Sequence, residues 1–108
     1  MRILKIVSHL FVALSVQSQG FAEGYLVKMK SISFGPKVIN IKVGDSVTWE
    51  NISYTEHSAT ANDEQLFNTE MIQPKMKSKK VTFSKPGTFE YHCSVHGVTM
   101  SGSISVTQ

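Results

Sequence analysis

From Tyr25 onward the chain alternates apolar and polar residues in short runs separated by turn residues. A side-chain period of two belongs to a strand with one buried face, because successive Cβ atoms point to opposite sides. Val27 and Met29 lie on one phase and Ile32 and Phe34 on the other. The change near Lys30-Ser31 predicts a first strand that bends or bulges there before Gly35-Pro36 ends it. Ile39, Ile41 and Val43, the turn dipeptide Gly44-Asp45, then Val47 and Trp49 read as strand, tight turn and strand. Between Ile52 and Met76 the pattern weakens: a short strand over His57 to Ala61, a turn at Asn62-Asp63-Glu64, and an irregular segment or single helical turn over Leu66 to Gln73. Lys80 to Ser84 reads as a strand and Lys85-Pro86-Gly87 as a turn. Phe89, Tyr91 and Cys93 then share one face of the next strand, and Ile104 and Val106 mark the last. No stretch has the spacing of a long amphipathic helix. Seven to eight short strands with frequent turn signals predict an all-β fold, a two-sheet Greek-key β-sandwich.

The first residues are different in kind. Arg2 and Lys5 precede an apolar run through Phe11-Val12-Ala13-Leu14, and Gly20-Phe21-Ala22 places small residues three and one before a cut. This is the pattern of a secretory signal peptide over residues 1–22, cleaved after Ala22. The alternative is an uncleaved anchor, but the run is shorter than the roughly 20 residues a spanning helix needs. Export implies a periplasmic protein with no stable membrane insertion after cleavage. Residues 23–108 then form one domain whose formal charge falls from +3 to +1 as Arg2 and Lys5 leave. The basic balance belongs partly to the leader, so no nucleic-acid or membrane-surface partner is implied.

A domain this small has limited capacity to bury a core and often gains stability from a disulfide or a metal. One cysteine excludes an internal disulfide, and an unpaired thiol in an oxidising compartment is a liability unless it has a use. Cys93, His96 and Met100 place a thiolate, an imidazole and a thioether within eight residues. Two imidazoles and one thiolate in a trigonal set, with a weak, long axial Met, suit copper in both oxidation states. The second imidazole must come from elsewhere. Beyond the leader the chain has only His57, His92 and His96. His92 directly precedes Cys93 and so faces away from it on a strand, which leaves His57. Taken alone, Met100 could equally fill a gap in the core.

Four blocks of the chain resemble the cupredoxins, the small blue-copper proteins, most closely their plastocyanin, pseudoazurin and amicyanin branch. They are Ile39 to Asn51, His57-Ser58-Ala59-Thr60, Lys85 to His96, and Met100-Ser101-Gly102. The resemblance implies a type 1 copper site of His57, Cys93, His96 and Met100, the last matching the family's axial residue directly before Ser101-Gly102. It also implies an Asn after the first His that ties the two ligand loops together; here Ser58, a shorter tie, holds that position. Asn51 and Ser58 are candidates to position the loops around the thiolate. The chain departs from the family in its spacer. Gly97-Val98-Thr99 puts three residues between His96 and Met100, where amicyanin-like loops have two and plastocyanin-like loops four, and the usual Pro after His96 is missing.

The function this implies is that of a periplasmic one-electron carrier, monomeric, not an enzyme, meeting transient redox partners at the His96 edge. Multicopper oxidases place a His on each side of the ligand Cys, whereas Ser94 follows Cys93 here and histidines are too few for a three-copper cluster. A binuclear electron-entry site would need a second Cys. The alternative is a periplasmic copper-binding storage or trafficking protein, for which Met29, Met71 and Met76 are scattered donors. Lys75, Lys77, Lys79 and Lys80 form a local basic run of the kind that is usually a solvated face.

Overall fold

In a computed structural model, which describes residues 21–108, the alternating runs become eight strands: β1 (Gly24–Met29), β2 (Phe34–Gly35), β3 (Val38–Lys42), β4 (Ser46–Asn51), β5 (Thr60–Ala61), β6 (Val81–Thr82), β7 (Gly87–Cys93) and β8 (Gly97–Thr107). They form two four-stranded sheets, ordered β2-β1-β4-β6 and β3-β8-β7-β5, which enclose a single core as a two-sheet sandwich. The expected leader, residues 1–22, lies almost wholly outside the described residues. Among the described residues no helix is long and apolar enough to cross a membrane.

The phase change at Lys30 is a chain reversal and not a bulge. The Lys30 N–H donates to the Ser33 carbonyl at 2.8 Å, and β1 and β2 pair antiparallel with Met29 opposite Phe34. Alternation reports which face a residue occupies but not which way the strand runs, so two strands of a hairpin read as one bent strand. The Gly44-Asp45 turn is present, yet the strands it joins do not pair. β3 runs parallel to β8 in one sheet, and β4 parallel to β1 in the other.

The inward phases meet in the core. Val27, Met29, Val47, Trp49, Tyr91, Cys93, Met100, Ile104 and Val106 are all buried, each large side chain contributing about 1.5–3 kcal/mol through removal from water. Trp49 is the hub: it stacks on Phe67 at 5.5 Å and meets the edge of Tyr91 at 5.4 Å, while Phe34 meets Tyr91 at 4.7 Å. Phe67 comes from the segment of weak pattern, which is indeed irregular. Burial pushes the Tyr91 phenol up to about 12, and the neighbouring Trp49 indole Nε1 is buried without a hydrogen-bond partner. Tyr91 lies opposite Gly102 on β8. A Cβ there would come within 2.5 Å of the ring's Cζ and hydroxyl, so only glycine lets the ring lie flat on β8 at this point.

Asp45 joins the start of β1 to the turn. Its carboxylate accepts the Lys42 N–H at 2.9 Å and the Glu23 N–H at 2.8 Å. Those two bonds, Lys42's first, hold the carboxyl below its ordinary value against the opposing effect of burial. The charged form is favoured by folding, so this contribution is complete above the unfolded value of about 3.9 and is lost as pH falls through the lower folded value. Asp45→Asn is expected to lower Tm at neutral pH and to flatten the acid limb between about pH 5 and pH 2. Thermal unfolding of both proteins across that range checks it, and identical acid limbs would contradict it.

Candidate metal centre

The loop that carries His57 is folded around one amide. Asn51, fully buried at the end of β4, donates from Nδ2 to the carbonyls of Thr55 at 2.8 Å and Ile72 at 2.9 Å, and its Oδ1 accepts from the Ser53 N–H at 2.9 Å and the Ser53 hydroxyl at 2.7 Å. All the bonding capacity of the side chain is used. Ile72 in turn exchanges backbone bonds with His57, at 3.3 Å from His57 N and 2.7 Å to its carbonyl. The amide thereby fixes both flanks of the histidine.

The other donors come from the β7–β8 hairpin. Cys93 ends β7, and residues 94–96 make the turn before Gly97 opens β8 opposite Cys93, with an irregular register between His92 and Cys93. Gly97 has φ +62°, the left-handed residue that closes a three-residue hairpin loop at no steric cost. The three-residue spacer to Met100 is therefore part of a strand. Met100, Gly102, Ile104 and Val106 are buried in strict alternation, so Met100 enters the core in phase with the rest of β8.

Cys93 Sγ lies 3.7 Å from His57 Nδ1 and 3.8 Å from His96 Nδ1, and the three donor atoms all fall within 4.8 Å of one another. Metal–sulfur and metal–nitrogen bonds of about 2.3 and 2.0 Å in a trigonal plane set their donors about 3.7 Å apart, so the separations fit one ion. A thiolate with two imidazoles is a set for copper or zinc and unsuited to calcium or magnesium. Cys93, His57 and Met100 are fully buried, while His96 is partly exposed between Val95 and Val98, which are 58% and 82% exposed. Burial, and then the neighbouring His96, hold the His57 pKa below its ordinary value, with the Lys30 carbonyl opposing. The neutral imidazole a metal needs is thus the form that folding favours. With Nδ1 turned to the centre, Nε2 faces the Thr55 hydroxyl at 3.5 Å.

His92 faces the other side of the sheet, with Nδ1 2.8 Å from Asn62 Oδ1, as alternation requires. Ser58 ties the two ligand segments: its buried Oγ accepts the Ser94 N–H at 3.0 Å and lies 3.0 Å from Ser94 Oγ and 2.8 Å from Thr60 Oγ1. Sequence reasoning found Asn51 and Ser58 but missed Thr55, Ile72 and Ser94. Each acts through a contact that no local pattern marks.

The sequence profile of "Copper binding proteins, plastocyanin/azurin family" matches residues 24–107. The chain is 30% identical over 74 residues to amicyanin of Paracoccus denitrificans, a match that takes in 66% of this chain and 56% of that protein. It is also 30% identical over 86 residues to plastocyanin of Scenedesmus fuscus, covering 70% of this chain and 88% of the relative. The chain thus spans only a little over half the length of some of its relatives, the Paracoccus amicyanin among them. Among solved structures, the purple cupredoxin of Nitrosopumilus maritimus superposes with a TM-score of 0.69 at 23% identity, over 77% of this chain and 99% of the other, a likeness of fold. A copper-containing nitrite reductase of Thermus scotoductus reaches 0.70 at 30% identity over 83% of this chain, but this covers only 23% of the reductase.

The Ser58 tie carries a measurable consequence. Ser58→Ala removes the acceptor of a partly buried N–H, which costs about 1–3 kcal/mol. Urea unfolding of the apoprotein is expected to show that loss, and Ser58→Thr, which keeps the hydroxyl, is expected to lose less.

Proposed function

Because the chain belongs to the plastocyanin/azurin family of copper-binding proteins, we propose that it is a periplasmic one-electron carrier, exported by a leader cut after Ala22. In this reading His57, Cys93 and His96 are the three strong ligands of one type 1 copper, and Met100 is the weak axial one. Copper held there supplies a one-electron couple between Cu(I) and Cu(II) that needs little ligand movement. The observation that supports the reading is the separation of the three donors, which fits a single ion.

The residues divide the work. Cys93 and His57 sit in the core and are held by β7 and by the Asn51 loop, so neither is free to follow a change of charge. Met100 is fully buried on β8, on the inward face of the strand. His96, on the turn, is the donor nearest to solvent, and its imidazole edge between exposed valines offers a small apolar contact for a passing partner. Transient redox encounters use interfaces at the small end of the range. Cys93 and His57 are both fully buried, out of reach of a substrate in solution, which favours a carrier over an enzyme.

Two substitutions test the ligand set. Cys93→Ser is expected to abolish the intense visible band that thiolate-to-Cu(II) charge transfer produces, because a hydroxyl is a much harder donor; circular dichroism should still report a folded β protein. A Cys93→Ser protein that remains blue would end the assignment. Met100→Leu is expected to retain copper and colour while raising the reduction potential, since loss of a weak donor destabilises Cu(II) more than Cu(I). Voltammetry reads the sign, and a fall in potential would show that Met100 is not the axial ligand.

A further inference from the structure

The basic run seen in the sequence becomes a shaped surface in three dimensions. On the outer face of the first sheet Lys28 is level with Glu50 across β1 and β4, and Lys77 is level with Glu50 on the other side through an isolated antiparallel backbone pairing. The row therefore reads Lys28, Glu50, Lys77, with neighbours about 4.8 Å apart. Lys80 joins Lys77, Leu26 and Thr48 around a shallow hollow on this face. At the end nearest the metal centre the run reaches Lys75, whose N–H donates to the Asn51 carbonyl at 2.7 Å, the same residue whose side chain holds the His57 loop. Lys75 is not a freely waving side chain. Its Nζ donates to the Ile52 carbonyl at 3.1 Å and sits 4.4 Å from the centroid of the Tyr54 ring, and the Tyr54 side chain is 87% exposed.

We propose that this face, Lys28, Lys75, Lys77 and Lys80 with Tyr54 at its metal end, is the docking surface for an acidic redox protein. The inference rests on the electron-carrier reading and gives its partner a chemistry. Complementary charge raises the rate of encounter and fixes orientation more than it adds affinity. An exposed tyrosine beside an ordered lysine is the kind of anchor on which interfaces concentrate their energy, and a side chain already held in place has less entropy to lose on binding. The alternation of Lys28, Glu50 and Lys77 matches placed carboxylates on a protein. A uniform layer of anionic lipid headgroups would meet Glu50 as a repulsion in the middle of the row.

The test uses poly-L-glutamate as an acidic probe and the full exported chain without copper, labelled for NMR. The amides of Lys28, Tyr54, Lys75, Lys77 and Lys80 are expected to shift on titration. Affinity is expected to fall by about tenfold between roughly 20 and 200 mM salt. The double variant Lys77→Glu, Lys80→Glu should weaken binding by at least about tenfold without changing Tm, and Tyr54→Ala should weaken it at constant charge. With the copper-loaded protein, oxidation by anionic hexacyanoferrate(III) should slow in the double variant, while oxidation by a cationic cobalt(III) phenanthroline complex should not. Shifts confined to the His96 edge, or equal binding by the double variant, would overturn the proposal. So would tighter, variant-sensitive binding to phosphatidylserine vesicles than to the polypeptide, which would make the face a lipid surface. The probe titration needs no copper, so it can fail while the carrier reading stands, and a protein without a reversible copper couple would sink the carrier reading alone.

Discussion

The hydrogen bonds of one buried amide, that of Asn51, are the constraint on which the metal centre depends. An amide taken out of water without partners costs several kcal/mol, about 2–7 depending on the reference, so a buried Asn demands that the chain wrap around it. The chain does so with Ser53, Thr55 and Ile72. Satisfying the side chain and placing His57 are the same event. A loop with no regular secondary structure is thereby tied on both flanks of the histidine it carries.

The hairpin on the other side obeys a different logic. β7 and β8 bring Cys93 and Met100 inward through simple alternation, continued from a core in which Trp49 and Phe34 meet Tyr91 edge to face. Tyr91 sits two residues before Cys93 on the same face, pinned between Trp49, Phe34 and the bare backbone of Gly102. The thiol therefore continues the buried row on the inner face of β7. Only the turn over residues 94–96 departs from strand geometry, and that departure brings His96 back over Cys93. One donor of the three is thus near solvent and two are in the core.

Protonation and burial act together at His57. An imidazole removed from water resists taking up a proton, and a second imidazole 5.2 Å away between ring centroids adds to that resistance. The fold thus favours the neutral form that can act as a ligand, and the same burial that defines the core prepares the site for a cation. The Ser58 tie between the two segments works in the same direction. It joins His57's neighbour to Cys93's neighbour through one hydroxyl.

Much of this was legible in one dimension because it is local. Cys93, His96 and Met100 are three and four residues apart, and hairpin geometry follows from such spacing. The inward faces of the strands follow from period two, and His92 is excluded by the same rule. What tertiary structure alone decided is partnership. Alternation does not say that Lys30 to Ser33 reverses the chain, nor that β3 and β4, separated by a tight turn, belong to opposite sheets. It does not reveal that Phe67 lies under Trp49, or that Ile72 and Thr55 flank His57. These contacts join residues through the closure of loops, and their energy is gained only when both ends are brought together in the finished sandwich. The sequence by itself determined the donors and the faces they lie on; the folded chain decided their distances, because a separation of 3.7 Å between atoms 36 residues apart exists only once both sheets have packed.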